Sequence, residues 1–294
     1  MAQDAGDSGA AVVTVVYYKM TGSGNDFVMV DGRNSSPAEW SRERIARICD
    51  RRDGVGGDGL VFVAPAGPDA VRMTYFNSDG SHAPMCGNAA LCSARLAARL
   101  ELADPAGMTL VTDAASFPVR CVGPGHLAEL NLPDVALPVA LAVTLEPGER
   151  AVVLATVGVP HLVAFVESVT GVDLPRRGPE LRHHTACGVG GANANFVSRT
   201  SGSSGTSTAQ VMAPEWTIRT WERGIEGETL ACGTGSVAAA LAIAAAGLDE
   251  LPLRFRSASG RVLSVTAQIE GGMGRDIWLC GEGRVVARGV WLDD

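Results

Sequence analysis

Two short segments of the 294-residue chain carry the side chains best suited to chemistry: Met85-Cys86-Gly87-Asn88 and Ala231-Cys232-Gly233-Thr234. Each opens an apolar, alanine-rich run, Ala89 to Leu102 and Ser236 to Ala246, that reads as a helix. A cysteine at a helix start faces unpaired backbone N–H groups and the positive end of the helix dipole. Both favour an anion, so the thiol pKa is expected below its free value of about 8.5. The same N–H groups suit a substrate carboxylate, and Gly87 and Gly233 would let the backbone approach it closely. A carboxylate held between two opposed helix starts puts its α-carbon between two sulfurs. One thiolate can then take the α-proton while the thiol opposite returns a proton to the other face, inverting the centre. The N–H groups would stabilise the carbanion-like transition state.

Either cysteine alone reads as a buried helix-start residue without chemistry; the argument rests on there being two at equivalent points of an internal repeat. Gly158 to Val166 parallels Gly24 to Val30, and Gly191 to Val197 parallels Gly57 to Val63. Arg223 precedes Cys232 by nine positions, as Asn77 precedes Cys86. The first half reads as strands at Phe27 to Val30, Leu60 to Val63, Val71 to Phe76, Met108 to Thr112, Phe117 to Val122 and Leu127 to Leu132. A helix is expected at Pro37 to Arg52, with Ser36 and Glu39 as a capping box and Gly54 beyond its end. Proline-punctuated Pro133 to Pro147 reads as the connection, and Thr200 to Ala209 as a Ser/Gly/Thr-rich hairpin tip.

Hydrophobic residues make up 46% and charged residues 19% of the chain, enough apolar material for two cores. The net charge of -8 argues against a nucleic-acid or anionic-membrane surface. Met1 to Ala10 lacks a basic region and Ala11 to Val16 is too short to span a bilayer, so a cytoplasmic location is expected. The seven cysteines form no CxxC pair, and no metal site is expected. Lys19 is the single lysine, hence the single candidate for a pyridoxal Schiff base.

At these residues the chain resembles the diaminopimelate epimerases. The segments that carry the resemblance are KMTGSGNDF (Lys19 to Phe27), FNSDG with MCGN (Phe76 to Asn88), GVPH (Gly158 to His161), ANANFV (Ala192 to Val197) and WERGIEGETLACGTG (Trp221 to Gly235). The resemblance implies an α+β fold of two pseudo-symmetric domains, each a β-barrel-like sheet wrapped around a central helix, with the active site in the cleft between them. The first half would cover 15–132 with a returning C-terminal strand at 284–294, and the second half 133–283. It also implies epimerisation of LL- to meso-diaminopimelate in lysine and peptidoglycan precursor synthesis, without a cofactor, by a homodimer acting on a small amino acid. The paired bases fall on Cys86 and Cys232, and the turns holding the reacting carboxylate on Gly87-Asn88 and Gly233-Thr234. Recognition of the distal amino-acid end falls on Asn25, Asn77, Asn193, Glu222 and Arg223, and adjustment of the thiol pKa values on His161 and Glu222. Arg223 with amide donors suits a second carboxylate and Glu222 a second ammonium. For His161 and Glu222 a structural role stays open, as does turn capping for Asn25, Asn77 and Asn193.

The chain departs from the family pattern at four places. Val159 stands for an asparagine that touches the distal end, Ala89 and Leu91 for Gly and Arg, His82 to Pro84 for an acidic stretch, and Gly59 for a glutamine. Valine cannot hydrogen-bond, so a racemase or epimerase of a different amino acid stays an alternative. A cysteine acyl-transfer enzyme using His161 as base leaves the second cysteine turn unexplained. A non-catalytic amino-acid binder would tolerate Cys→Ser. Gly54 to Gly59 matches G-x-G-x-x-G, but it precedes a strand rather than opening a helix, so no dinucleotide site is expected. His183, His184 and Cys187 lack a further pair to complete a metal site.

Overall fold

The computed structural model describes residues 13–200 and 215–293. The segment expected as a hairpin tip lies outside the described residues from position 201 onward. The first half runs β1 (Val13–Gly22), β2 (Asn25–Asp31), α1 (Arg42–Cys49), β3 (Gly59–Gly67), β4 (Ala70–Asn77), β5 (His82–Ala83), α2 (Gly87–Arg99), β6 (Met108–Val111), β7 (Ser116–Val122) and β8 (Leu127–Leu132). Two short strands follow, β9 (Val135–Ala136) and β10 (Val139–Ala140). The second half runs β11 (Glu149–Val157), β12 (Val159–Val166), α3 (Leu174–Arg182), β13 (Asn193–Arg199), β14 (Glu215–Glu222), β15 (Gly227–Thr229), α4 (Gly233–Ala245), β16 (Leu253–Arg256), β17 (Val262–Glu270) and β18 (Met273–Glu282). The last strand, β19 (Arg284–Asp293), returns antiparallel along β1.

The two halves repeat one ladder pattern. In the first, β1–β2 is antiparallel, β2–β3 parallel, β3–β4 antiparallel, β4–β6 parallel, and β6–β7 and β7–β8 antiparallel. The same sequence of pairings runs from β11 to β18. The equivalent last strands β8 and β18 then pair with each other, with Leu130 opposite Leu279, and join the halves. Each half of the one continuous sheet curls around a helix: α2 touches both β1 and β8, and α4 packs on β11, β12, β13, β17 and β18. The mixed α+β architecture of two helix-centred halves is as expected.

Register places the repeat one residue away from the cysteine spacing. Val28 lies opposite Leu60 and Leu60 opposite Phe76; Leu162 lies opposite Ala194 and Ala194 opposite Trp221. The strand-end equivalent of Asn77 is therefore Glu222 and not Arg223, because the turn before Cys232 is one residue longer. The glycine-strand parallels survive unchanged, since Val28 matches Leu162 and Leu60 matches Ala194.

Helix α4 is apolar on every side and ten of its residues are buried, as a helix enclosed by a sheet requires. Helix α2 is buried from Asn88 to Leu96 except at Arg95, and Ala97 is buried too. Both belong to one continuous core. The expected helix at Pro37 to Arg52 divides instead. Ser36 and Glu39 do form a capping box, but only on a 3-10 turn, Pro37–Glu39. Trp40 then takes an extended conformation and packs against Phe62 and Trp291, and Ser41 caps a second start. Burial of one indole thus outweighs the helical period. Helix α3 carries Pro175, Gly178 and Pro179, which hide it from a propensity reading. Gly178 is needed there because a methyl would lie 2.8 Å from the Trp221 side chain.

Candidate active site

Cys86 is the N-cap of α2 and Cys232 the N-cap of α4, both in extended backbone conformation. The backbone N–H groups of Ala89 and Asn88 favour a Cys86 thiolate, and that of Gly235 with the Thr234 hydroxyl a Cys232 thiolate, although neither sulfur makes a capping hydrogen bond. The Cys232 sulfur lies 3.7 Å from the Thr234 hydroxyl. One side chain bridges the two helix starts: a methyl on Gly233 would sit 2.7 Å from Leu279 Cδ2, and one on Gly87 3.9 Å from the same atom. A methyl on Gly233 would thus push the end of the Leu279 side chain aside, whereas one on Gly87 would not. Gly235 is demanded by the site itself, since its methyl would lie 2.3 Å from Asn195 Oδ1 and 3.2 Å from Cys232 Sγ.

The expectation of lowered thiol pKa values is overturned. Burial pushes Cys86 up to about 11 and Cys232 up to about 12. The backbone N–H groups act in the expected direction, but desolvation of a thiolate is larger and the Glu222 carboxylate adds to it at both sites. Both sulfurs are thiols in this arrangement. Glu222 is itself raised by burial, opposed by the Thr229 hydroxyl. Its charge acts on both cysteines.

His161 and Asn195 form a fully buried pair. Asn195 Nδ2 donates to the Leu162 carbonyl at 2.9 Å and lies 3.3 Å from His161 Nδ1, while its Oδ1 accepts from Thr220 at 2.9 Å. His161 Nδ1 is then an acceptor and Nε2 carries the hydrogen, with no partner among the described residues. Burial, reinforced by the Arg223 charge, holds its pKa down at about 3, so the ring is neutral. No hydrogen bond joins the ring to either cysteine among the described residues, so the nucleophile–base contact of an acyl-transfer pair is not present.

Arg223 receives the Asn193 Oδ1 on its backbone N–H at 2.7 Å, and no carboxylate pairs with its guanidinium among the described residues. Its fork remains open to an anion. Asn77 Nδ2 donates to the Ser81 hydroxyl at 3.0 Å, the turn-capping role. Asn25 is expected at the distal end; the structure sets its side chain against Asn88, with Asn88 Nδ2 donating to Asn25 Oδ1 at 2.6 Å. Sequence reasoning missed Leu279, Asn195, Asp58 and Tyr75. The Tyr75 ring covers Gly59, whose methyl would lie 2.6 Å from it, and packs edge-on to Phe27. Burial raises its hydroxyl well above the usual tyrosine range. The replacement of a glutamine by Gly59 was the available signal, since something had to fill the space.

The remaining candidates have structural employment. Lys19 pairs with Asp26 at 2.6 Å and bonds the Gly56 carbonyl, so its amine is engaged. His183 faces Glu226 at 3.7 Å, and His184 Nδ1 accepts from the Ala186 N–H. The glycines from Gly54 to Gly59 lead from α1 into β3, not into a helix.

Fold and site together define a two-fold α+β protein of helix-centred halves with a cysteine at each helix start. This architecture is shared by a PhzF-family phenazine biosynthesis protein of Bacillus anthracis (TM-score 0.67, 16% identity, covering 95% of this chain and 99% of that one). It is shared also by a hydroxyproline epimerase of Agrobacterium vitis (TM-score 0.62, 15% identity, 96% and 93%). At these identities the likeness concerns the fold alone. The family profile described as diaminopimelate epimerase matches residues 17–130 and 153–278. A diaminopimelate epimerase of Gemmatimonas aurantiaca is 42% identical over 284 residues, 93% of this chain and 98% of the relative. One of Flavobacterium psychrophilum is 32% identical, covering 92% and 97%. This chain belongs to the diaminopimelate epimerase family.

Proposed function

We propose that this chain is an isomerase that converts LL-diaminopimelate to meso-diaminopimelate with Cys86 and Cys232 as paired bases, a step serving lysine and peptidoglycan precursor synthesis. The observation that carries the reading is the equivalence of two N-cap cysteines on two buried helices, bridged by Leu279 and both within the field of Glu222. The names of the relatives support the choice of substrate.

The substrate carboxylate takes the helix-start N–H groups of Gly87-Asn88 and Gly233-Thr234. An α-ammonium arriving beside the thiols lowers their pKa values by Coulomb attraction, and one thiol gives up its proton to solvent before the site closes. That thiolate removes the α-proton as the opposite thiol delivers its own to the other face. One S–H bond forms and one breaks; the thiolate ends on the second sulfur, and exchange with solvent resets the pair. Glu222 and His161 set the thiols' environment, while Asn77, Asn193, Glu222 and Arg223 read the distal amino-acid end, with Asn25 behind Asn88. The site lies between halves 15–132 (with 284–294) and 133–283.

We further place the protein in the cytoplasm, where a reducing medium suits its seven free cysteines. We propose a homodimer: Val16 lies opposite Val290, and with Leu292 they form an exposed apolar strip on the β1–β19 ladder that a second copy would cover. Among the described residues no helix is long and apolar enough to cross a membrane.

The test is solvent deuterium wash-in at the α-carbon of LL-diaminopimelate, with Cys86→Ala and Cys232→Ala beside the parent. Epimerisation in the parent and its loss in both variants is expected. Exchange of another amino acid only would keep the two-base chemistry and reassign the substrate, with Val159 as the reason.

A further inference from the structure

A chain of polar side chains runs from a surface ion pair to the start of α2. Arg51 bonds Asp58 Oδ1 at 2.8 Å and also grips Asp26. Asp58 Oδ2 accepts from Asn25 Nδ2 at 2.9 Å and from the Asp26 backbone N–H at 3.2 Å. Asn25 Oδ1 accepts from Asn88 Nδ2 at 2.6 Å. Asn88 is 4% exposed, and its Oδ1 has no hydrogen-bond partner among the described residues.

The polarity of this chain follows from its charged end. A carboxylate only accepts, so Asn25 must turn its amide nitrogen to Asp58 and its oxygen to Asn88. Asn88 must then meet that oxygen with its own nitrogen, which leaves its carbonyl oxygen as the unpaired group. A buried acceptor left unpaired costs free energy unless a ligand supplies a donor. Asn88 stands at the second residue of α2, next to Gly87 and two residues from Cys86. A carboxylate would be repelled by a bare carbonyl oxygen, whereas an ammonium complements it. The helix N–H groups and the Asn88 oxygen thus offer opposite polarities to the two charged groups on one α-carbon.

We propose that Asp58, anchored by Arg51, is a positioning residue that fixes the amides of Asn25 and Asn88 so that Asn88 Oδ1 accepts from the substrate's α-ammonium. The inference rests on the amino-acid epimerase reading and names the orienting device of that site. Asp58 touches no substrate; it positions Asn88 by way of Asn25, and its charge separately helps to raise the Cys86 thiol.

The experiment is a double-mutant cycle on deuterium wash-in, read as KM and kcat separately, with thermal melting of each protein. Asn88→Ala should raise KM about tenfold or more, the loss of a hydrogen bond to a charged group. Asp58→Ala should raise KM about threefold or more, because only part of the population keeps the competent amide orientation, and any change in kcat from the lost charge near Cys86 should be shared by Asp58→Asn. Asp58→Asn, which still offers Asn25 an oxygen, should recover most of that rise. In the Asn88→Ala background, Asp58→Ala should change KM by less than about 1.5-fold. KM effects that simply multiply would overturn the relay. So would an Asp58→Ala protein with unchanged KM and a lowered kcat and melting temperature, the signature of a structural role. A parent that exchanges no amino acid overturns the epimerase reading and the relay with it; an active parent with multiplying effects overturns the relay alone.

Discussion

Replacing Gly235 by alanine presses a methyl into the point where Cys232, Asn195 and the start of α4 meet. The new Cβ would lie 2.3 Å from Asn195 Oδ1 and 3.2 Å from Cys232 Sγ. About 1 Å of movement is needed to restore ordinary contact. Asn195 cannot yield cheaply, because it is fully buried and tied at 2.9 Å to both the Leu162 carbonyl and the Thr220 hydroxyl. Overpacking of this kind costs about 1–3 kcal/mol, and breaking one of those buried bonds about 1–3 kcal/mol more. The sum of about 2–6 kcal/mol corresponds to a melting temperature lowered by roughly 4–24 °C. The sulfur moves with the helix start, and a displacement approaching 1 Å at a reacting atom can cost about 100-fold in rate. Thermal melting by circular dichroism and α-carbon deuterium wash-in well below the melt measure the two effects separately. Gly107→Ala is the control, since a methyl there meets nothing within 4 Å, and it should stay within about 1 kcal/mol of the parent. A Gly235→Ala protein that melts within 2 °C (roughly the scatter of such a scan) and exchanges at the parent rate would refute the packing described for this site.

Three further outcomes are expected. Glu222→Gln removes a negative charge that raises both thiols, so the rising limb of kcat/KM against pH should move to lower pH; an unmoved limb would count against Glu222 as a common regulator of the pair. His161 has a folded pKa near 3 against 6.5 for the free residue, so its contribution is complete above about 6.5 and is lost as pH falls toward 3. Urea midpoints of His161→Gln should therefore fall less steeply over that window, and a slope equal to the parent's would contradict a neutral buried ring. Val159→Asn restores a hydrogen-bonding group to a half-buried position at the start of β12. It should lower KM for diaminopimelate several-fold, and an unchanged KM would remove Val159 as a reason to consider other substrates.

Much of the site was legible because its signals are local. A cysteine-glycine turn before an alanine-rich run implies a helix start, and the two N-caps fall where that reasoning puts them. The glycine-strand parallels were legible for the same reason, each being a turn followed by an alternating or continuous apolar strand. What local reasoning mistook involved competition between distant groups. The Trp40 indole divided one expected helix because Phe62 and Trp291 lie beside it in space. The thiol pKa values rose because desolvation by the enclosing sheet exceeded the pull of a few backbone N–H groups. The count of nine residues paired Asn77 with Arg223, but ladder register, set by hydrogen bonding between strands, pairs Asn77 with Glu222.

The amino-acid sequence by itself determined the two-fold repeat, the pair of helix-start cysteines and the apolar helices behind them, since each depends on residue order over a few turns of chain. Only the tertiary structure decided that Leu279 joins the two helix starts, that burial keeps His161 neutral with Asn195 at its Nδ1, and that Asn88 Oδ1 is left unpaired beyond Asn25 and Asp58. Those facts depend on burial and on hydrogen-bond direction among residues up to more than a hundred positions apart, and no run of neighbouring residues encodes either.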